Sequence, residues 1–366
     1  MQNEMLISLH IKPKRAELDM ETIKVNKKIV YGQFFTKDMI WLKPQVIDFI
    51  VSANCDTAFD PFAGAGHLLN VAKILGFSKT IGCDIDGMLG WQQNDSLISI
   101  PHIDDNTIII TNPPYLSNYS ASRKGIMPKV KKYFETTVYN DLYLLAVDNM
   151  LKSQKYVVAI IPETFINSNF KDKKFLRSIT ILEENPFDDT DTPVVVACFD
   201  GIEKDFSQID VYRNETRLND LASIESMRLF PQNNVKMSFN TKDGWLAVRC
   251  VDSTNPKEML KFDFKENINY DWQKGIKCSS RLLTLINIDV AQNNRERFIN
   301  ECNKILNELR CRAKDVIFSP FKGNMKNGQR RRRLDYCTCR AIIEIAFNNI
   351  APQKEKKQNY EQLRLF

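Results

Sequence analysis

Through the first two hundred positions, apolar residues fall in short unbroken runs that stop at acids or prolines. Thr57 to Phe59 predicts a strand ending at Asp60, and Thr80 to Cys83 a second one ending at Asp84. Thr107 to Thr111 is β-branched throughout and halts at two prolines. Tyr156 to Ile161 halts at Pro162, and Val194 to Phe199 is a further run. Between these runs, Leu68 to Leu75 and Asn140 to Leu151 place apolar residues at helical spacing. Strands apolar on both faces, alternating with helices, predict an α/β fold with a parallel sheet under helices.

The rhythm changes near Gly201. Met237 to Phe239, then Asp243 and Gly244, then Trp245 to Val248 predict a hairpin. Asn294 to Arg310 predicts an amphipathic helix with its apolar stripe at Phe298, Ile299, Cys302, Ile305, Leu306 and Leu309. The segment FKGNMKNGQRRRRLDY reads as a polar, basic loop, Arg340 to Phe347 as one more helix, and the tail from Pro352 as frayed. No internal repeat is visible. The division expected is an N-terminal extension (1–30), a first domain (31–200) and an α+β second domain (201–366).

The 366 residues suit two domains, and 43% hydrophobic with 26% charged residues excludes a disordered chain. No long uncharged apolar run predicts a membrane span, and the start lacks the apolar core of a secretory signal. Nine cysteines without a C-x-x-C pair argue for free thiols in a reducing cytoplasm and against a metal site. Residues 1–200 hold 21 Lys+Arg against 24 Asp+Glu, and the remainder 30 against 21. A basic second half suits a polyanionic partner such as nucleic acid.

Two segments carry candidate chemistry. In DPFAGAGH, a strand ends at Asp60, and Gly64 and Gly66 let the backbone approach a ligand at a helix start. Eighteen residues beyond Gly66, Asp84 ends the next strand, where an acid accepts from ribose hydroxyls. The same pattern also serves as an ordinary strand–turn–helix. Leu69 stands at the third glycine position of the dinucleotide fingerprint and there is no phosphate-binding lysine, so a nucleoside fits better than a pyrophosphate. In TNPPYL, two prolines stiffen the chain at the carboxyl edge of the sheet. The Asn112 side-chain oxygen and the Pro113 carbonyl could both accept from one amino group, with Tyr115 as a flat plate beside them. His67 and His102, in a turn and a polar loop, are poor catalytic candidates.

With these motifs in this order, the chain resembles S-adenosylmethionine-dependent amino-methylating DNA methyltransferases, in particular N6-adenine enzymes of the gamma arrangement. The likeness covers residues 31–200. YGQFFT, Tyr31 to Thr36, resembles the family's cofactor segment, DPFAGAGH its glycine motif, and NPPY, Asn112 to Tyr115, its catalytic motif. The resemblance implies a Rossmann-like domain with a seven-stranded, mostly parallel sheet. It implies cofactor contacts at Tyr31, Phe35, Thr36, Asp60, Phe62, Gly64, Gly66, Asp84, Ile85 and Asn112, with Asp95 on the adenine amine. It implies catalysis by Asn112, Pro113, Pro114 and Tyr115. Phe187, in NPFDDTDTPVVVACF, becomes a second plate for the target base beside Tyr115.

The expected reaction is methyl transfer to N6 of an adenine flipped out of duplex DNA, as in restriction–modification, without a metal. A cognate restriction endonuclease would act on the same site without forming a stable complex. NPPY also occurs in glutamine-methylating and ribosomal-RNA enzymes, and N4-cytosine methylation is the neighbouring chemistry, though that family more often carries Ser before the prolines. An idle nucleic-acid-binding module is the reading from another class; an intact NPPY speaks against it. DNA contact is expected from Arg281, Arg295, Arg297, Lys322, Asn324, Lys326 and the run Arg330, Arg331, Arg332 and Arg333.

Overall fold

The computed structural model describes residues 39–187, 191–272 and 282–350. Tyr31, Phe35, Thr36 and Arg281 lie outside the described residues.

Helix α1 (Pro44–Ala53), with proline in its first turn, leads into β1 (Thr57–Asp60), α2 (His67–Ile74), β2 (Lys79–Asp84), the short β3 (Gln92–Gln93) and β4 (Thr107–Thr111). After the prolines come α3 (Asn118–Arg123) and α4 (Met127–Glu135), then α5 (Leu142–Ser153) and β5 (Tyr156–Pro162). Four more strands follow: β6 (Leu176–Ile181), β7 (Val194–Phe199), β8 (Asp210–Arg213) and β9 (Thr216–Asp220). They make one nine-stranded sheet of order β3-β2-β1-β4-β5-β7-β6-β8-β9. Strands from β3 to β5 run parallel, while β7 is antiparallel to β5 and β6. The sheet is thus mixed, with nine strands where seven were expected. The extra pair, β8 and β9, lies past Gly201: β8 runs parallel to β6, and β9 folds back on β8.

Alternation explains how the strands are buried on both faces. Ile109, Val157, Ala159 and Ala197 join one apolar cluster, and Ile108, Ile110, Val158 and Val196 the other. From β1 the chain moves outward to β2 and β3, then returns to place β4 on the other side. The switch point therefore lies between β1 and β4, and a crevice opens there at the carboxyl ends of the strands.

Beyond α6 (Leu221–Ser226), strands β10 (Met237–Phe239), β11 (Leu246–Arg249), β12 (Lys261–Phe264) and β13 (Leu283–Ile288) form a second sheet. Its order is β10-β13-β11-β12, so β10 and β11 are not the expected hairpin. The later apolar strand β13 inserts between them; Gly244 lies so close to it that a Cβ there would stand 2.8 Å from the Ile286 nitrogen. Helix α7 (Arg295–Arg312) buries Phe298, Ile299, Cys302, Leu306 and Leu309 of the predicted stripe, with Ile305 half-buried beside them. The expected basic loop is instead a second correction, an antiparallel hairpin of β14 (Ser319–Asn324) and β15 (Arg330–Arg333). Helix α8 (Tyr336–Ile350) ends the described chain. One apolar cluster runs through both halves, joining Phe165 and Phe199 to Leu246, Phe262, Phe298 and Ile342.

Candidate active site

β1 and β4 are neighbours, so their carboxyl ends bring Asp60 beside Thr111. Asp60 is buried; its Oδ1 accepts from Thr111 Oγ1 (2.5 Å) and from the Phe62 N–H (3.0 Å). Burial pushes its carboxyl up to about 7, against the pull of those two hydrogen bonds, and the Asp84 carboxylate adds to the rise.

Glycine is required where this turn meets Trp91. Gly66 has φ of +81°, and a Cβ on it would lie 2.8 Å from the indole ring. On Gly82 of β2, a Cβ would lie 2.5 Å from the same ring. Trp91 Nε1 donates to the Gly64 carbonyl (2.8 Å), so one side chain packs against the loop and pins it. At Gly64 a Cβ would meet nothing within 4 Å, and the loop is open on that side.

Asp84 Oδ2 accepts from the Gly64 N–H and Oδ1 from the Asp86 N–H, both at 2.9 Å. Each oxygen keeps a further lone pair. Asp95 Oδ2 accepts from Lys132 Nζ (3.0 Å) and from the Tyr133 hydroxyl (2.9 Å). The Asn112 side-chain oxygen is buried and, among the described residues, has no hydrogen-bond partner. Pro113 is buried and Pro114 exposed. Tyr115 donates its hydroxyl to the Ile160 carbonyl (2.7 Å), and burial holds its phenol well above the ordinary range. Its ring meets Phe187 edge-on, with centroids 6.4 Å apart and planes at 71°. The two rings touch, but they are not parallel plates with a gap between them.

A cleft of about 680 Å³ gathers most of the cofactor, catalytic and stacking residues selected from the sequence: Phe62, Asp84, Ile85, Asp95, Asn112, Pro113, Pro114, Tyr115 and Phe187. Asp60, Gly64 and Gly66 do not line it; they form the turn behind it. Lys124 and Lys322 complete its rim from opposite halves of the chain.

The expected DNA-contacting residues divide. Arg332 corrects the sequence expectation: it is 2% exposed and paired with the buried Glu163 carboxylate, so it cannot reach a phosphate. Arg330 is also turned inward, donating to the Leu182 and Glu183 carbonyls and to Asn324 Oδ1. Arg331 donates to the Asp252 and Lys322 carbonyls and lies over the Phe321 ring. Arg295 sits over Trp245 and donates to the Val290 carbonyl. Arg297, Lys322, Asn324 and Lys326 are exposed, and Arg333 is half-buried.

Sequence reasoning missed Trp91, Thr111, Lys132, Tyr133, Lys124 and Glu163. A signal existed only for two of them: Thr111 directly precedes Asn112, and Trp91 stands between the two acids Asp84 and Asp95. The others meet the site only through folding.

Residues 91–189 match the family model described as Eco57I restriction-modification methylase. That segment holds Trp91, Asp95, NPPY and Phe187, and stops short of the second half. No curated protein matches the chain. Similar solved structures include a Listeria monocytogenes protein described as a class I S-adenosylmethionine-dependent methyltransferase. It shows 13% identity over 52% of this chain and 71% of that one, with a TM-score of 0.33. A type I restriction-modification methyltransferase subunit from Streptococcus thermophilus shows 15% identity over 53% of this chain and 52% of that one, TM-score 0.32. TrmN from Thermus thermophilus shows 17% identity over 49% and 53%, TM-score 0.28. This chain thus spans about half the length of the latter two. The family match supports methyl transfer as the chemistry. Among the described residues no helix is long and apolar enough to cross a membrane, and no cluster suits a metal ion.

Proposed function

We propose that this protein transfers a methyl group from S-adenosylmethionine to the N6 amino group of an adenine flipped out of duplex DNA. It would serve as a restriction–modification methylase, alongside an endonuclease acting on the same site. The observation that carries this reading is the buried, unpartnered Asn112 oxygen in a cleft lined by the Asp84 and Asp95 carboxylates and an aromatic ring.

The cleft has the size of a cofactor site. Its glycine turn is open at Gly64, and Asp84 keeps lone pairs for ribose hydroxyls. Both contacts on Asp95 fall on Oδ2, which leaves Oδ1 for an exocyclic amine. When bound, S-adenosylmethionine supplies a methyl group that is already electrophilic. The protein therefore has to position the amine rather than activate the methyl.

An adenine amine is a weak nucleophile because its lone pair is delocalised into the ring. Asn112 Oδ1 and the Pro113 carbonyl accept its two hydrogens, favour a pyramidal nitrogen and stabilise the positive charge developing there. Tyr115 offers its face to the base, held in place by its own hydrogen bond to Ile160. Stacking of roughly 1–3 kcal/mol offsets part of the cost of extrusion. Phe187 supports the Tyr115 ring edge-on, and as placed is not a second parallel plate.

The test is cofactor-dependent methyl incorporation into duplex DNA, RNA and protein, followed by mass analysis of the digested product. N6-methyladenine from DNA is expected. N4-methylcytosine, methylated RNA or methylglutamine as the main product would overturn the assignment.

A further inference from the structure

The four consecutive arginines look like the nucleic-acid contact of this chain, yet three of them are spent on the protein itself. Arg332 pairs with Glu163, which directly follows β5. Arg330 holds the backbone at Leu182 and Glu183, just past β6. Arg331 ties Asp252 to the carbonyl of Lys322, with its guanidinium over the neighbouring Phe321 ring (4.8 Å). The hairpin is thereby fastened across the carboxyl ends of the catalytic sheet, and the residue its arginines hold at the cleft is Lys322.

Lys124 lines the same cleft, at the end of α3 and nine residues beyond Tyr115. Among the described residues neither lysine has an ion-pair partner; Lys132, by contrast, is paired with Asp95. Two exposed lysines without an ion-pair partner thus line a cleft that also holds the buried, unpartnered Asn112 oxygen.

We propose that Lys322 and Lys124 grip the phosphodiesters flanking the nucleotide whose base enters the cleft, and that the arginine run is the scaffold that sets Lys322 in place. This rests on the nucleic-acid reading above. A base that reaches Asn112 leaves its sugar–phosphate at the mouth, because the strand continues on both sides. Cations there replace the counterions of those phosphates and hold the backbone in its extruded course.

The experiment compares wild-type protein with Lys322→Ala, Lys124→Ala, the double variant and Lys322→Arg. The probe is genomic DNA from a methylation-free host, with labelled-methyl incorporation measured across a salt series. Each alanine should raise KM for DNA several-fold and lower the slope of log affinity against log salt by about 0.9. Cofactor affinity by calorimetry should stay within about twofold of wild type, and arginine at position 322 should restore the slope. Arg331→Ala should show a weaker form of the Lys322→Ala effect. Normal KM and slope in the double variant, while the wild type methylates DNA, would overturn the lysine grip alone. A wild-type protein that methylates protein and no nucleic acid would overturn both readings.

Discussion

Leaving a buried amide oxygen unpaired costs roughly 1–3 kcal/mol, and Asn112 carries that cost at the centre of the cleft. Asn112→Ala should therefore fold as well as the wild type while losing on the order of 10²-fold or more in turnover. Its cofactor affinity should hardly change, since the oxygen is assigned to the target amine rather than to the cofactor contact that the resemblance implied; turnover near normal would take Asn112 out of the reaction. Asp60 has the opposite character, a carboxyl whose titration is set by burial. Its folded value of about 7 lies above the ordinary 3.8, so the folded state holds a proton that the unfolded state releases. The associated stability is fully present below about pH 4 and is lost as pH rises toward 7, on the order of 4 kcal/mol. Asp60→Asn should flatten the fall of melting temperature across that window, and an identical slope in the variant would assign the titration to another group. NPPY and the two strand-end acids were legible in the sequence because each motif is contiguous. Lys132 and Tyr133 were not, because they reach Asp95 from α4, far along the chain.

Among the elements, the apolar strands announced themselves, since β4, β5 and β7 are buried on both faces. The β14–β15 hairpin could not be read this way. Its burial comes through paired charges, which hydrophobic spacing does not register. Removing the Glu163 carboxylate should cost about 3–5 kcal/mol, because the buried Arg332 charge is left without a counter-ion; losing Arg332 should cost less, since Arg330 Nε still stands 3.6 Å from Glu163. Urea unfolding of Arg332→Met, Glu163→Gln and the double variant should show the double less destabilised than the sum of the singles. Gly82 of β2 and Trp91 make a second such pair. Gly82→Ala drives a Cβ into Trp91 and should destabilise by roughly 1–3 kcal/mol, with cofactor affinity falling alongside. Trp91→Leu in the same chain should recover most of that loss, and additive losses would mean that the indole is not what crowds Gly82.

For the molecule as a whole, the charge split was legible and its meaning was only half so. The second half carries the excess of basic residues, but several of its arginines bind carbonyls and carboxylates inside the protein. The division proposed at Gly201 also meets a sheet that continues through Asp220. A fragment ending at Gly201 would strip β8 from β6 and open a backbone edge. It should collect in the insoluble fraction on expression; a soluble fragment that unfolds cooperatively would put the boundary back at Gly201.

If the proposed DNA methylation holds, the apolar cluster that joins Phe199 to Leu246, Phe298 and Ile342 has a consequence for how a new target sequence could be acquired. Halves that share one interior are not interchangeable cassettes. A chimera grafted after Asp220 would lose the partners of its own β-sheet core before it met any DNA. New preferences are better sought by saturating exposed turn positions, such as Lys326 to Gln329, than by trading whole C-terminal segments between chains.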